Sequence, residues 1–543
     1  MSQPKDATRR AFMRSSVLSC LVAAGASSGF LTLRDVLAQP RAGNPPFVPD
    51  LEVQLRAMED HVPILRGQPT RVWRYDGKVV KGDPGSLGFL SNGYLPVLRV
   101  RRGQKVRIDL ANELPEPTIV HWHGLYVPAA MDGHPRNAIS TGQHYVYEFE
   151  VVNRAGTYWF HAHPDGRTGA QIYFGQAGLL IVADDEEAAL GLPSGAYDVP
   201  LVIQDRVLDD RNQFTYLDES DGGMMGRGMM GGGGMMGHGM MGGGGMGQMM
   251  ARMMGFLGDR ILVNGKPDFV LPVATHAYRL RLLNASNSRI YKVAWSDRSS
   301  LAVIGTDGGL LDRPVTRPYI TLSPAERVDI WVDFSGRSIG TELTLQSVAF
   351  DGAMAMGGMM SNVPLPNGAS FPILKVRVEQ RANAKVELPK RLASLPVPVP
   401  QDTVNAQHPK VFDIMMGMMV WGINGRRFDM DNVTKTETVR RDSAELWEFR
   451  NEQSMMLMAH SMHVHGLQFR VIGRTVLPDF VSAHRTVAAG LIDDGWKDTV
   501  LLMPGERIRL LLRFEHYTGM YLYHCHMLEH EDSGLMRNYL IET

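Results

Sequence analysis

The chain has 543 residues, too many for one hydrophobic core, so two to four domains are expected. Its 56 Lys and Arg against 57 Asp and Glu leave a formal net charge of −1, which gives no hold for a nucleic acid or an anionic membrane surface. Two cysteines exclude a disulfide framework, and no segment beyond the N-terminal leader has the roughly 18 uninterrupted apolar residues of a membrane span.

The N-terminus reads Thr8-Arg9-Arg10-Ala11-Phe12-Met13-Arg14 ahead of an apolar run from Ser16 to Leu33. Paired arginines before a short apolar stretch resemble a twin-arginine export signal. Cleavage is expected after Ala38, which makes 1–38 the leader and the periplasm the destination. Cys20 lies inside the leader, and Ser19-Cys20 is a poor lipidation box. Cys525 is then the single cysteine of the mature chain.

Beyond the leader, short alternating runs broken by turn residues read as strands of β-sandwiches. VRIDLANEL (106–114), YRLRLLNAS (278–286) and LWEFRNEQ (446–453) each alternate and then reach an asparagine: Asn112, Asn284 and Asn451, at near-equal intervals. The repeat predicts an all-β chain of three related domains, placed at 45–195, 196–390 and 400–543. The first holds HWHGL at 121–125, then MDGHP with Asp132, then YWFHAH at 158–163. The second has no such histidine pair. It carries a Met/Gly run over 222–255, read as a disordered, exposed insertion too rich in glycine for helix or strand. SPAERVDIWVDF (323–334) and a second methionine group (Met354, Met356, Met359, Met360) follow. LASLPVPVPQD (392–402) is a Pro-punctuated linker. The third domain opens with Met415, Met416, Met418 and Met419, ahead of a strand. It then repeats earlier phrases: HVHGL at 463–467, MPGERIRLLLRF at 503–514 and YLYHCH at 521–526.

Side chains at i and i+2 of a strand point the same way, about 6–7 Å apart. That is wide for one metal and suited to two adjacent ones. Four pairs have this spacing: His121/His123, His161/His163, His463/His465 and His524/His526. If the first and third domains face each other, eight imidazoles converge, with nitrogens enough for three ions of copper, zinc, iron or nickel. Cys525 lies between His524 and His526 and therefore points to a separate site. A thiolate with two imidazoles is the blue-copper arrangement. His530, after a turn, and His460, three before His463, can supply the imidazoles. Zinc is usually four-coordinate and has no redox use for this wiring. His61, His134, His144, His238, His276, His408, His484 and His516 are read as ordinary surface or core residues.

In order and spacing, HWHG, HAH, HSMHVHG and HCHMLEHEDSGLM resemble the multicopper oxidases, in particular the three-domain bacterial cuprous oxidase and laccase branch, over nearly the whole mature chain. The resemblance implies three cupredoxin-like Greek-key β-sandwiches and four copper ions. By matching position it implies His121 and His463 on the type 2 copper, and His123, His161 and His526 on one type 3 copper. His163, His465 and His524 fall on the other, and His460, Cys525 and His530 on type 1. Asp132 and Glu531 fall where the family places proton-handling carboxylates, since reducing O2 to two waters consumes four protons with four electrons. Three positions depart from the pattern. Leu535 stands where an axial Met is common, with Met536 one further on. Leucine cannot coordinate, so a three-coordinate, higher-potential type 1 copper is expected. Ser461 replaces a usual Pro, and Met456 an Asp that copper-efflux oxidases place at the substrate copper.

The electron donor is what varies in this family. Soft thioethers favour Cu(I), which makes Met224, Met225, Met229, Met230, Met235, Met236, Met240 and Met241 candidates for a Cu(I) substrate. The run continues to Met253 and Met254. Copper-efflux oxidases commonly carry such an insert in the third domain; here it falls in the second. One reading is a cuprous oxidase that detoxifies copper. The other is a laccase using small phenols or aromatic amines, which Leu535 favours. A non-catalytic copper-binding protein is disfavoured because all ten histidines and the cysteine are present. A two-domain copper nitrite reductase lacks the linked cluster. No strand–GxGxxG–helix context points to a nucleotide. A monomer is expected.

Overall fold

The computed structural model describes residues 46–90, 94–217, 251–354, 364–382, 385–396, 399–417, 420–454 and 456–543. The leader and the methionines Met224 to Met241 lie outside these residues, as do Met356, Met359, Met360, Met418 and Met419.

Among the described residues six sheets form, two from each third of the chain. In the first third, one sheet orders Thr70–Lys81, Leu51–Val62, Lys105–Asn112 and His144–Glu150; the other contains Pro96–Arg101, Ala177–Ala183, Gly156–Ala162 and Val120–His121. Leu51, Val53 and Ile108 of one sheet meet Leu98, Val100 and Leu180 of the other in a shared core, so the two form a sandwich. The same two-sheet plan recurs over 198–380 and 410–542, each with its own core. The fold is all-β with three cupredoxin-like sandwiches.

The sequence repeat has a structural counterpart. In each sandwich the opening strand runs parallel to the strand that leads to the repeated asparagine: Leu51–Val62 with Lys105–Asn112, Asp198–Arg206 with Ala277–Asn284, and Lys410–Gly417 with Ala444–Arg450. Each asparagine then spends its side-chain amide on two carbonyls of returning loops. Asn112 Nδ2 donates to Glu116 and Ile139, Asn284 Nδ2 to Arg289 and Leu322, and Asn451 Nδ2 to Met458 and Met503, all at 2.7–3.1 Å. Buried carbonyls need such donors, and a primary amide carries two.

The end of the Met/Gly run departs from the exposed insertion expected of it. Residues 251–254 are helical, and Met253 is buried in the core of the third sandwich. Its carbonyl accepts a hydrogen bond from Trp421 Nε1 at 3.0 Å. Burial of the Met253 side chain in that core and the bond to Trp421 outweigh the glycine bias of the preceding residues. Among the described residues no helix is long and apolar enough to cross a membrane.

Candidate metal centre

The four histidine pairs sit where buried strands run out. His121 ends Val120–His121, His161 is near the end of Gly156–Ala162, His463 is near the end of His460–Val464, and His524 precedes the last residue of Gly519–Cys525. Antiparallel pairing sets His121 opposite His161 and His463 opposite His524. Within the pairs, ring centroids lie 5.5, 5.9, 4.9 and 5.5 Å apart in chain order, the side-by-side placement that i, i+2 spacing gives. Across the sandwiches the order reverses: His121 stacks on His465 and His123 on His463, both at 3.7 Å. Crosswise matching is what two related elements produce when they meet about a local two-fold axis.

The inward nitrogens fall into three groups. His121 Nε2 faces His463 Nε2 at 3.3 Å. His161 Nε2 lies 3.3 Å from both His123 Nδ1 and His526 Nε2. His524 Nε2 lies 3.4 Å from His163 Nε2 and 3.0 Å from His465 Nε2. Each pair thus splits between two groups. Most outward nitrogens are held in place. The N–H of His121 Nδ1 donates to the Asp132 carbonyl (2.7 Å), His463 Nδ1 to the Asp498 carbonyl (2.8 Å), His161 Nδ1 to the Ala162 carbonyl (2.9 Å) and His465 Nδ1 to Asp132 Oδ2 (2.8 Å). Such bonds fix the tautomer and leave the inner nitrogen a lone pair. Burial keeps seven of the rings neutral: it pushes His121, His123, His463, His465 and His526 well below the usual 6.5, His163 to about 4 and His161 to about 3. Neutral imidazoles aimed at shared points fit metal ions.

Cys525 turns away from this cluster, as alternation requires. Its Sγ lies 3.5 Å from His460 Nδ1 and 3.6 Å from His530 Nδ1, His530 being carried by the short helix Leu528–Asp532. All three are fully buried. Trp421 packs on both rings, with centroids at 4.7 and 4.9 Å. Burial pushes the Cys525 thiol up to about 12, His530 down to about 3 and His460 well below its usual value. The Cys525 N–H donates to the Leu535 carbonyl at 3.0 Å, and the Leu535 side chain is buried in the same core.

Two carboxylates border the imidazoles. Asp132 holds His465, while its Oδ1 has no hydrogen-bond partner; burial pushes its carboxyl well above the usual range. Glu531 places Oε1 3.4 Å from His163 Nε2 and Oε2 3.0 Å from His524 Nδ1, neither in good hydrogen-bond geometry. Burial pushes its carboxyl up, but the facing His524 and His163 outweigh that and hold it at about 2.

Sequence reasoning missed a second ring of buried charge. His123 Nε2 lies 3.0 Å from Asp498 Oδ1 and 3.1 Å from Thr499 Oγ1. His123, His463 and Asp498 are close enough to hold a cation, but the Arg327 guanidinium already contacts both oxygens of Asp498, at 2.7 and 2.5 Å. GWKDTV (495–500) contains no histidine pair, so nothing marks it. Arg327 lies within a repeat phrase, yet its counterpart Arg507 is bonded to Glu452 nearer the surface. Glu326 and Glu506 do keep a common role, each accepting the backbone N–H three residues before it.

Two family models, both described as multicopper oxidase, match residues 86–187 and 403–543. The chain is 30% identical over 509 residues to a laccase of Bacillus stratosphericus, covering 86% of this chain and 90% of that one. It is 29% identical over 456 residues to a multicopper oxidase of Staphylococcus aureus, covering 83% of each. The crystal structure of the McoA multicopper oxidase of Aquifex aeolicus matches with a TM-score of 0.71 and 31% identity, over 92% of this chain and 97% of that one. Two clusters of buried, neutral nitrogen and sulfur donors and these likenesses agree: the chain belongs to the multicopper oxidases, oxidoreductases that carry four copper ions and take O2 as acceptor.

Proposed function

We propose that the protein is a cuprous oxidase, taking single electrons from Cu(I) at a type 1 site and delivering them to O2 at a trinuclear cluster. The single observation that carries the two-site reading is Cys525, whose Sγ lies between His460 and His530 while its chain neighbours His524 and His526 belong to the imidazole cluster. His460, Cys525 and His530 would hold type 1. His121 and His463 would hold type 2; His123, His161 and His526 one type 3 ion; His163, His465 and His524 the other. Copper bound at these residues would supply one-electron chemistry at type 1 and O2 reduction at the cluster. The chain orients the rings through their outward nitrogens and keeps bulk water away by burial. Asp132 Oδ1 and the two Glu531 oxygens, buried and without hydrogen-bond partners, are the atoms that would hold and pass protons.

The donor reading rests on methionines in and against the core of the third sandwich. Met253 is buried in the core that contains Cys525, and Met254, Met354 and Met456 pack against it from different segments. Met354 also forms a backbone bridge with Met458, two residues before His460. The Met/Gly run therefore rejoins the described chain beside Trp421, whose ring packs on His460 and His530. In the same reading, the three sandwiches are the domains at 45–195, 196–390 and 400–543, and a twin-arginine leader sends a monomer to the periplasm, where copper is detoxified.

The test compares Cu(I) with a bulky phenol as donor, in the parent and in a deletion of residues 222–250 that spares Met253. The expected result is a lower kcat/KM for Cu(I), with phenol turnover equal or higher. Equal loss for both donors, or none for Cu(I), would contradict the reading. A second reading, laccase, is favoured by Leu535, because an axial position without a thioether suits a high-potential site.

A further inference from the structure

The middle sandwich gives no histidine pair to the cluster, yet a buried ion pair reaches from it to the rings. We propose that Arg327 and Asp498 are a positioning pair that sets the orientation of His123, so that the middle sandwich governs copper occupancy at the type 3 position this ring serves. The inference rests on the ligand assignment above.

Of the eight rings, His123 alone turns Nδ1 toward its neighbours; the other seven present Nε2. That flip leaves the N–H on Nε2, pointing away from the cluster into the protein, where it needs an acceptor. Asp498 Oδ1 and Thr499 Oγ1 are the acceptors, at 3.0 and 3.1 Å. The carbonyl of Asp498 also holds His463, so one residue secures a ring of the type 2 pair and a ring of one type 3 set.

A fully buried carboxylate is costly unless paired, and a two-pronged guanidinium is the strong partner for it. Arg327 supplies that partner and is itself fixed by all three sandwiches. Its Nη1 donates to the Ala325 carbonyl (3.0 Å) and its Nη2 to the Asp307 carbonyl (3.2 Å) within the middle sandwich. Its Nε donates to the Thr157 carbonyl (3.1 Å) on the strand that carries His161, and Asp498 belongs to the third sandwich. Lys497, buried beside Asp307 (3.4 Å) and Glu326 (2.9 Å), adds a second cation to the network.

The glycine of HWHG gives an independent sign that this space is committed. A Cβ on Gly124 would lie 2.4 Å from Asp498 Oδ2 and 2.9 Å from Arg327 Nη2, and its φ of +87° already disfavours a side chain. The matching Gly466 of HVHG meets a different neighbour, the Tyr521 ring at 2.6 Å. Both glycines share a positive φ, at +87° and +67°, but only at Gly124 would a side chain also meet the ion pair.

The experiment uses the full chain loaded with copper, as parent, Asp498→Ala and Asp498→Asn. It reads copper per chain, the blue type 1 band, the near-ultraviolet band of the coupled type 3 pair and the thermal midpoint. Asp498→Ala is expected to keep the blue band while the near-ultraviolet band and bound copper fall, with kcat reduced about 10- to 100-fold for every donor. Asp498→Asn, which retains an acceptor for Nε2–H but not the charge for Arg327, should fall between the two. An Asp498→Ala protein with parental copper content and near-ultraviolet absorption would overturn the proposal. Loss of both bands and of the thermal midpoint in both variants would also overturn it, because the pair would then be supporting the fold rather than one ring. A parent that never shows the type 3 band would instead refute the ligand assignment.

Discussion

At Cys525, one residue separates two chemistries. Its buried thiol is held protonated at neutral pH, so copper must displace a proton to bind there. Loading of metal-free protein should release that proton and run faster as pH rises, which a pH indicator followed beside the blue band would record; loading indifferent to pH would contradict it. Cys525→Ser should lose the blue colour and drop turnover to background with every donor, while the cluster keeps its own copper. Leu535→Met would place a thioether beside the site and should lower the type 1 potential; an unchanged potential would mean that Leu535 does not face the copper. These residues were legible because histidine pairs and a lone cysteine between two of them have few other uses. Asp498 was not, because a single acid before a strand looks like any surface carboxylate until Arg327 and His123 are seen around it.

Among the elements, the asparagine loops tie the returning chain to the strands that carry the site. Asn451 ties the carbonyl of Met458 to that of Met503, and the strand bearing His460 and His463 begins two residues after Met458. Asn451→Ala would leave two buried carbonyls without these donors. The expected cost is about 2 kcal/mol or more, read as a lower thermal midpoint, with a broadened blue band as His460 loosens. A lower midpoint with an unaltered band would show that the loop stabilises without aiming. The repeat was readable from the sequence because alternation and a terminal asparagine recur. The helical turn at 251–254 was hidden by the glycines before it, since its burial depends on Trp421, far away in the chain.

For the molecule as a whole, the imidazole cluster and the Cys525 site hold buried histidines out of water. In the fold they resist protonation down to about 4 for His163 and about 3 for His161 and His530, whereas in the unfolded chain they take up protons below about 6.5. Unfolding therefore binds protons, and the metal-free protein should lose stability as pH falls from about 6.5 toward 4, by up to about 1.4 kcal/mol per pH unit for each such ring. Thermal midpoints with and without copper across that range check the sign. A flat profile for the metal-free form would contradict it. The three-sandwich plan was visible in the sequence, but the middle sandwich's grip on the cluster was not, because ion pairs between distant segments leave no periodic trace.

Anomalous diffraction at the copper edge from crystals of the loaded protein tests the two-centre arrangement most directly. The arrangement predicts one peak bounded by His460, Cys525 and His530, and three peaks among the eight imidazoles. A copper-loaded crystal with no peak beside Cys525, or with fewer than three among the rings, would contradict it.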